Sequence, residues 1–435
     1  MPKNFSFRLA ILLLALAPSS SLATEIGTPS PWDLMTSPEL LVDWVLQNDV
    51  MVSAAQANVD AASAQIKQAG VFQNPSFEFS MGNMPAGKTV SRGLGFNEVA
   101  YYEFSLEQTF EIGKRRPRIS SAKAAKKASE IELVHTAAQR IHDVRKAIGR
   151  VLYFKEKAAL LASQAAENQT ILDLENQRLL LGDISPNDYS RLQLDSLELV
   201  TDARQATTDY QAALASCTAL LGISCEIADS ESPTLAKLLE HAPNLPTDVS
   251  TEHSRPDIAL LGQLALVAEH EQRLASRNKI PDPSIFVGYT HDRFTIADNL
   301  SHTFSVGISI PLTFANTGRH EAAAAGAKAI EQRALQRQLK REAEAEIAEL
   351  NTQLAALTKT NALFSTEAVQ QSTAVLEGTV KGFNQGTKSM TDLLLARRTH
   401  TNLGLKVIDI QYQIFVVTNQ LRMALGLDAE IVQNR

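Results

Sequence analysis

The chain has 435 residues, 44% of them hydrophobic, 20% charged and only 6% aromatic, with a formal net charge of −7. This composition excludes a disordered chain, and the acidic balance argues against nucleic acid as a partner. Scarce aromatic residues beside abundant Ala, Leu, Gln and Glu favour long helices over one large compact core.

Residues 1–23 open with Lys3 and Arg8, run apolar from Leu9 to Ala17 and end in Ser21-Leu22-Ala23. That is the pattern of a cleaved secretory signal, and its apolar run is well short of the roughly 20 residues a membrane helix needs. No later run reaches that length, so an exported chain of this kind can enter a membrane only as strands of a closed barrel.

From Pro38 to Gln68 the pattern is helical. Asn74-Pro75 breaks it, and Phe77, Phe79 and Met81 then alternate with Glu78, Ser80 and Gly82, the period of a strand with two unlike faces. Residues 83–97 read as a Gly/Pro-rich loop. A second strand follows, with Tyr102, Phe104, Leu106 and Phe110 on one face and Glu103, Ser105, Glu107 and Thr109 on the other. Each strand is close to the roughly 9 to 11 residues that cross a bilayer at a tilt. Lys114, Arg115, Arg116 and Arg118 come next and read as a solvated collar at the end of the strands, able to meet anionic headgroups.

After Pro117 the run to Leu181 holds neither a further Pro nor a strong breaker cluster; as one helix it would reach roughly 100 Å. The turn Leu179 to Tyr189 reverses it, and a return helix ends at Leu221-Gly222. Cys217 and Cys225, the two cysteines, flank that stop. In an oxidising compartment they can pair, or Cys217 can serve as a small buried residue on a helical seam. Residues 223–254, rich in Pro, Ser, Asp and Thr, read as a connection packed outside the main body, with one short amphipathic stretch at Leu235 to Leu239.

The second half repeats the first. Asp282-Pro283 stands 208 residues after Asn74-Pro75; Ile285, Val287 and Tyr289 alternate on a third strand, residues 291–301 loop, and Phe304, Val306, Ile308 and Ile310 alternate on a fourth. At a spacing of 204, Gly182, Ser185, Asp188 and Gly222 fall on Gly386, Ser389, Asp392 and Gly426. After Arg319, Ile347, Leu350, Leu354, Leu357 and Phe364 follow steps of three and four, interrupted by Asn361 and Gln371, and a return helix carries Leu403, Val407, Ile410, Ile414, Val417 and Leu421. A sustained 3.5-residue period means helices packed in a supercoil. The organisation is therefore a signal (1–23), a first repeat (24–222), a connection (223–254), a second repeat (255–427) and a C-terminal tail (428–435).

Four strands cannot close a barrel, since the smallest spanning barrels have 8, and open edges are not tolerated in lipid. Several chains must therefore share one barrel, aromatic and branched faces toward lipid and Glu78, Glu103 and Glu107 toward a watery lumen. A soluble periplasmic coiled-coil scaffold, the competing class, would explain the helices and leave the strands unused.

The plan of strand pair, long helix, G-x5-D turn and return helix, given twice, resembles the TolC-type outer-membrane factors. Within that family, NPSFEFSMGN and SLEQTFEIGKRRPRIS are most similar to the cobalt-zinc-cadmium (heavy-metal) efflux branch. The resemblance implies a mainly α fold with a transmembrane β-barrel. It implies a homotrimeric duct in the outer membrane with a long periplasmic extension, four strands and long coiled-coil-like helices per chain. Its partners would be a periplasmic adaptor, an inner-membrane RND-type pump and outer-membrane lipid. Its role would be the passive exit duct of a tripartite efflux system for heavy-metal cations, with multidrug efflux or type I secretion as alternatives. It also implies a periplasmic gate at Asp188, Phe383, Lys388 and Asp392. Phe383 stands where the family has a tyrosine, Lys388 where it has an arginine, and Leu395 where it can have a second aspartate. Helix capping is the alternative role for both aspartates. Adaptor contact falls to Gly182, Ser185, Gly386 and Ser389, whose alternative role is the tight turn itself. No catalytic set, cofactor loop or metal-ligand set stands out; His135 and His142 share a helix face without a clustering thiolate or carboxylate.

Overall fold

The structure, a computed structural model, describes residues 29–84, 99–228, 233–240, 255–293 and 301–435. The signal segment at 1–23 and most of the loops and connection expected at 83–97, 223–254 and 291–301 lie outside the described residues.

The amino-terminal helical stretch is three helices, α1 (Pro31–Thr36), α2 (Pro38–Asn48) and α3 (Val50–Ala69). The single helix expected over 38–68 is broken at Asp49, whose carboxylate caps α3 through the amides of Met51 and Val52. Strands β1 (Ser76–Gly82) and β2 (Tyr101–Thr109) follow, then α4 (Arg115–Leu181) and its return α5 (Pro186–Leu221). After α6 (Leu235–Glu240), the second copy runs α7 (Pro256–Ala275), β3 (Ser284–Asp292), β4 (His302–Ser309) and α8 (Arg319–Ala362). A π-helical turn (Leu363–Ala368) leads into α9 (Val369–Asn384), with the return α10 (Met390–Ala424). The π turn falls between the polar interruptions Asn361 and Gln371, and β3 continues two residues past Thr290 into the expected loop. Among the described residues no helix is long and apolar enough to cross a membrane.

The four strands make one antiparallel sheet in the order β1-β2-β3-β4, the repeats joined by β2 against β3 with Phe104 opposite Tyr289. One face carries Phe77, Phe79, Phe104, Leu106, Val287, Phe304, Val306 and Ile308, all exposed. A continuous exposed apolar patch of this size marks an interaction surface, and its period of two leaves Glu78, Glu103 and Glu107 on the other face.

The main core sits where α2, α4, α5 and α10 meet. Leu41, Val42 and Val45 of α2 pack with Ile141, Val144, Ile148 and Leu152 of α4, Cys217 and Leu221 of α5, and Phe415 of α10. Ile227, Leu235 and Leu238 belong to the same core, so the connection is not packed outside the body as its polar composition suggests; its few apolar residues cover the end of the first hairpin. Cys217 and Cys225, both fully buried, are joined as a disulfide, Cα atoms 5.9 Å apart.

The last residues are not a tail. They form α11 (Leu427–Gln433), and Asp428 at its start accepts from Arg145 Nη1 at 2.6 Å and Arg422 Nη2 at 3.1 Å. All three side chains are buried, Asp428 to 1% exposure.

The basic run after β2 is a solvated collar only in part: Arg115 and Arg116 are exposed, but Lys114 and Arg118 are half-buried in ion pairs. Lys114 pairs with Asp282 at 2.6 Å, and Arg118 forks onto Glu111 at 2.6 and 2.8 Å. Arg118 and Arg115 also donate to the carbonyls of Ala69 and Gly70. The end of α3 leaves carbonyls without helical partners, and these guanidinium groups satisfy them, fastening helix to strand at the junction.

Candidate functional site

Both G-x5-D turns are built the same way. Gly182 ends α4 with φ 81° and Gly386 follows α9 with φ 70°, and nothing lies within 4 Å of where a Cβ would sit on either. The glycines are therefore required by the left-handed backbone and not by crowding. Ser185 and Ser389 are the N-caps of the return helices. Each Oγ accepts from the backbone amide of the aspartate three residues on, at 3.1 Å from Asp188 and 3.2 Å from Asp392. Each hydroxyl also donates to that aspartate's Oδ2 at 2.8 Å. At the second turn the Ser389 amide completes a reciprocal box, donating to Asp392 Oδ2 at 3.0 Å. Asp392 thus closes a capping box within one chain, while at the first turn Ser185 is the cap and Asp188 accepts from its hydroxyl.

The serine hydroxyl bond, then the serine amide, hold the Asp392 carboxyl below the usual carboxylate range, with exposed Lys388 adding to the same direction. Phe383 sits in a different environment. Its ring packs beside Leu192, Met390 and Leu393, the buried residues of a small apolar cluster where the two hairpins meet. The Arg178 guanidinium lies over it, 5.5 Å from the ring centre. Arg178 is itself held by Glu175 at 3.0 Å. So among the expected gate residues Lys388 and Asp392 are neighbours, while within the single chain Phe383 lies in the apolar contact between hairpins and Asp188 accepts from the hydroxyl of Ser185.

The links between the two hairpins at this end fall on residues that sequence reasoning did not single out. Arg398 of α10 reaches Asp195 at 2.6 Å and Glu198 at 2.5 Å on α5. Arg397 donates to Asn168 of α4 at 3.2 Å, and Arg191 to Thr391 at 3.3 Å. Burial lowers the Arg397 guanidinium, against the pull of Glu167 and Asp195. Asn168, Asp195, Glu198, Arg397 and Arg398 line a cavity of about 140 Å³ between α4, α5 and α10. A signal was present: Arg397-Arg398 follow Asp392 by five and six residues, while the matching stretch of the first repeat carries Asp195 and Glu198. The repeats have opposite charges where they face each other.

The sheet completes the site. Among the described residues its edges, β1 and β4, pair with no further strand. On the strands, the face bearing Glu78, Glu103, Glu107 and Asp292 carries no Lys or Arg.

A profile of outer membrane efflux proteins matches residues 41–223 and 254–427, most of both repeats. The chain belongs to the outer membrane efflux protein family. No curated protein matches this efflux protein by sequence. Its fold is that of several solved structures. The outer membrane protein VceC of Vibrio cholerae is 18% identical with a TM-score of 0.70, over 89% of this chain and 96% of that one. CusC, described as forming a transmembrane channel, is 16% identical with a TM-score of 0.73, over 92% and 95%. The CmeC outer membrane channel of Campylobacter jejuni is 17% identical with a TM-score of 0.72, over 97% and 94%. At these identities the likeness establishes the fold. The efflux protein is thus a mainly helical chain with a four-stranded barrel segment, its paired turns at the end of the helical hairpins remote from the sheet.

Proposed function

We propose that three copies of this chain close one barrel and one helical tunnel. Together they form the passive exit duct of a tripartite efflux system, fed by an inner-membrane pump through a periplasmic adaptor. The observation that carries the reading is the open four-stranded sheet with one lipid-type and one acidic face. Its edges need partners in lipid. Two copies would give eight strands, a barrel just wide enough for side chains to fill, whereas three give twelve and leave a lumen. Exposed Leu174, Leu194, Leu197, Leu363 and Val375 on the hairpins call for neighbouring helices in the same assembly.

Heavy-metal cations are the substrate class. Each chain would present Glu78, Glu103, Glu107 and Asp292 to the lumen, and rings of carboxylates favour cations over anions. The strand-region motifs similar to the cobalt-zinc-cadmium branch support the same class. The tip would be gate and docking surface together. Asp188, Phe383, Lys388 and Asp392 would hold neighbouring copies shut, and Gly182, Ser185, Gly386 and Ser389 would meet the adaptor. Growth of a deletion strain under graded cobalt, zinc and cadmium tests the substrate. Selective sensitivity to the metals is expected. Sensitivity to organic compounds alone would replace this reading with multidrug efflux.

A further inference from the structure

Sequence spacing gives no hint that His291 and His302 belong together. In the sheet they are direct partners across β3 and β4, at the strand ends farthest from the helix junction. Their rings stack with centres 4.7 Å apart and planes 23° from parallel. We propose that this pair is a binding site for a borderline divalent transition cation such as Cu²⁺ or Zn²⁺, on the outer wall of the barrel at its outer rim.

The chemistry of each ring supports chelation. His291 Nδ1 lies 3.1 Å from the Ser301 carbonyl oxygen, which can only accept, so the neutral ring carries its proton on Nδ1 and leaves the Nε2 lone pair free. His302 Nδ1 lies 2.6 Å from Tyr289 Oη, and when the ring donates to that oxygen its Nε2 is likewise open. A carbonyl or hydroxyl behind the ring is the usual arrangement of a metal-ligating histidine. Two ligands at metal–nitrogen distances of about 2.0–2.1 Å bring their nitrogens to about 3 Å, so the rings, stacked with centres 4.7 Å apart, would turn about their side-chain bonds to aim both lone pairs at one ion. Imidazole pairs suit copper, zinc and nickel. The remaining positions would be filled by water, since no group of three or more His, Cys, Asp or Glu side chains able to hold a metal occurs among the described residues.

The neighbourhood is compatible. His291 follows Tyr289 by two residues and so shares the outer face with Phe304 and Val287, beyond the apolar band. Arg293, two residues on from His291, is turned onto the Tyr102 ring, 5.1 Å from its centre. An interfacial aromatic girdle accounts for Tyr102 and Tyr289 but not for two opposed imidazoles.

The test is Cu²⁺ titration of the tag-free full-length protein in detergent, followed by electron paramagnetic resonance. One EDTA-removable ion per chain with two-nitrogen coupling is expected. Affinity should fall by more than about tenfold in H291Q and in H302Q, and the coupling should vanish in the double variant, with barrel assembly unchanged on heat-modifiability gels. The same stoichiometry and spectrum in the double variant, or no nitrogen-coupled copper in the native protein, would overturn the proposal. The site lies outside the lumen, so neither result bears on conductance or on the duct reading.

Discussion

Replacing Asp428 by Ala removes the one carboxylate that two buried guanidinium groups share. Arg145 and Arg422 are 6% and 8% exposed, and their bonds to Asp428 measure 2.6 and 3.1 Å. Deleting one partner of a buried ion pair costs about 3–5 kcal/mol, because the remaining charge is left buried without compensation. Here two charges are stranded, so the upper end of that range applies. In a chain of this length, with an unfolding entropy of about 2.1 cal/mol/K per residue, it corresponds to a drop in melting temperature of about 5–6 °C, read from the helical circular-dichroism signal at a fixed scan rate. The same variant should expose α11 to protease. A melt within about 1 °C of wild type, with the carboxyl terminus still protected, would refute the claim that Asp428 anchors the end of the chain. Acid offers an independent check. Burial opposes ionisation of Asp428, yet Arg145 and Arg422 outweigh it and hold the carboxyl below the usual range. A depressed native value means stability that is present above the ordinary carboxylate range and lost as pH falls through the lower native one. The loss should be shallower in D428N than in wild type.

At the tip, S389A removes the cap, at a cost of about 1 kcal/mol, whereas D392A keeps the amide-to-serine bond and loses the bonds its carboxylate accepts from Ser389, together with any link to a neighbouring copy. The gate role predicts that D392A, and more strongly D188A with D392A, raises resting conductance in lipid bilayers beyond S389A. Equal conductance in the two single variants would return Asp392 to capping alone. In the lumen, combined E78Q, E103Q and E107Q should lower the cation-to-anion permeability ratio measured from reversal potentials in a salt gradient. An unchanged ratio would mean that this face does not line the pathway.

The duplicated plan was legible because backbone geometry restricts its residues. Gly182, Gly222, Gly386 and Gly426 all adopt positive φ, and a spacing of 204 relates both pairs. The strands were legible because their faces meet different solvents, so Phe79 and Ser80 cannot exchange roles. What escaped reading depends on partners distant in the chain. Asp428 finds Arg145 across 283 residues, and Lys114 finds Asp282 across 168. Nothing in the composition of 428–435 or of the basic run announces these pairings. The π turn at Leu363–Ala368 has no residue signature, and Phe383 could be placed at the tip without revealing that Arg178 would cover it. Local rules locate turns and faces, and tertiary packing decides which charges are spent within the chain.

The central claim, that an open four-stranded sheet becomes a duct only by sharing its edges, is tested most directly by the particle mass of the detergent-solubilised protein from light scattering. Three chains per particle are predicted. A single chain, or two, would contradict the account.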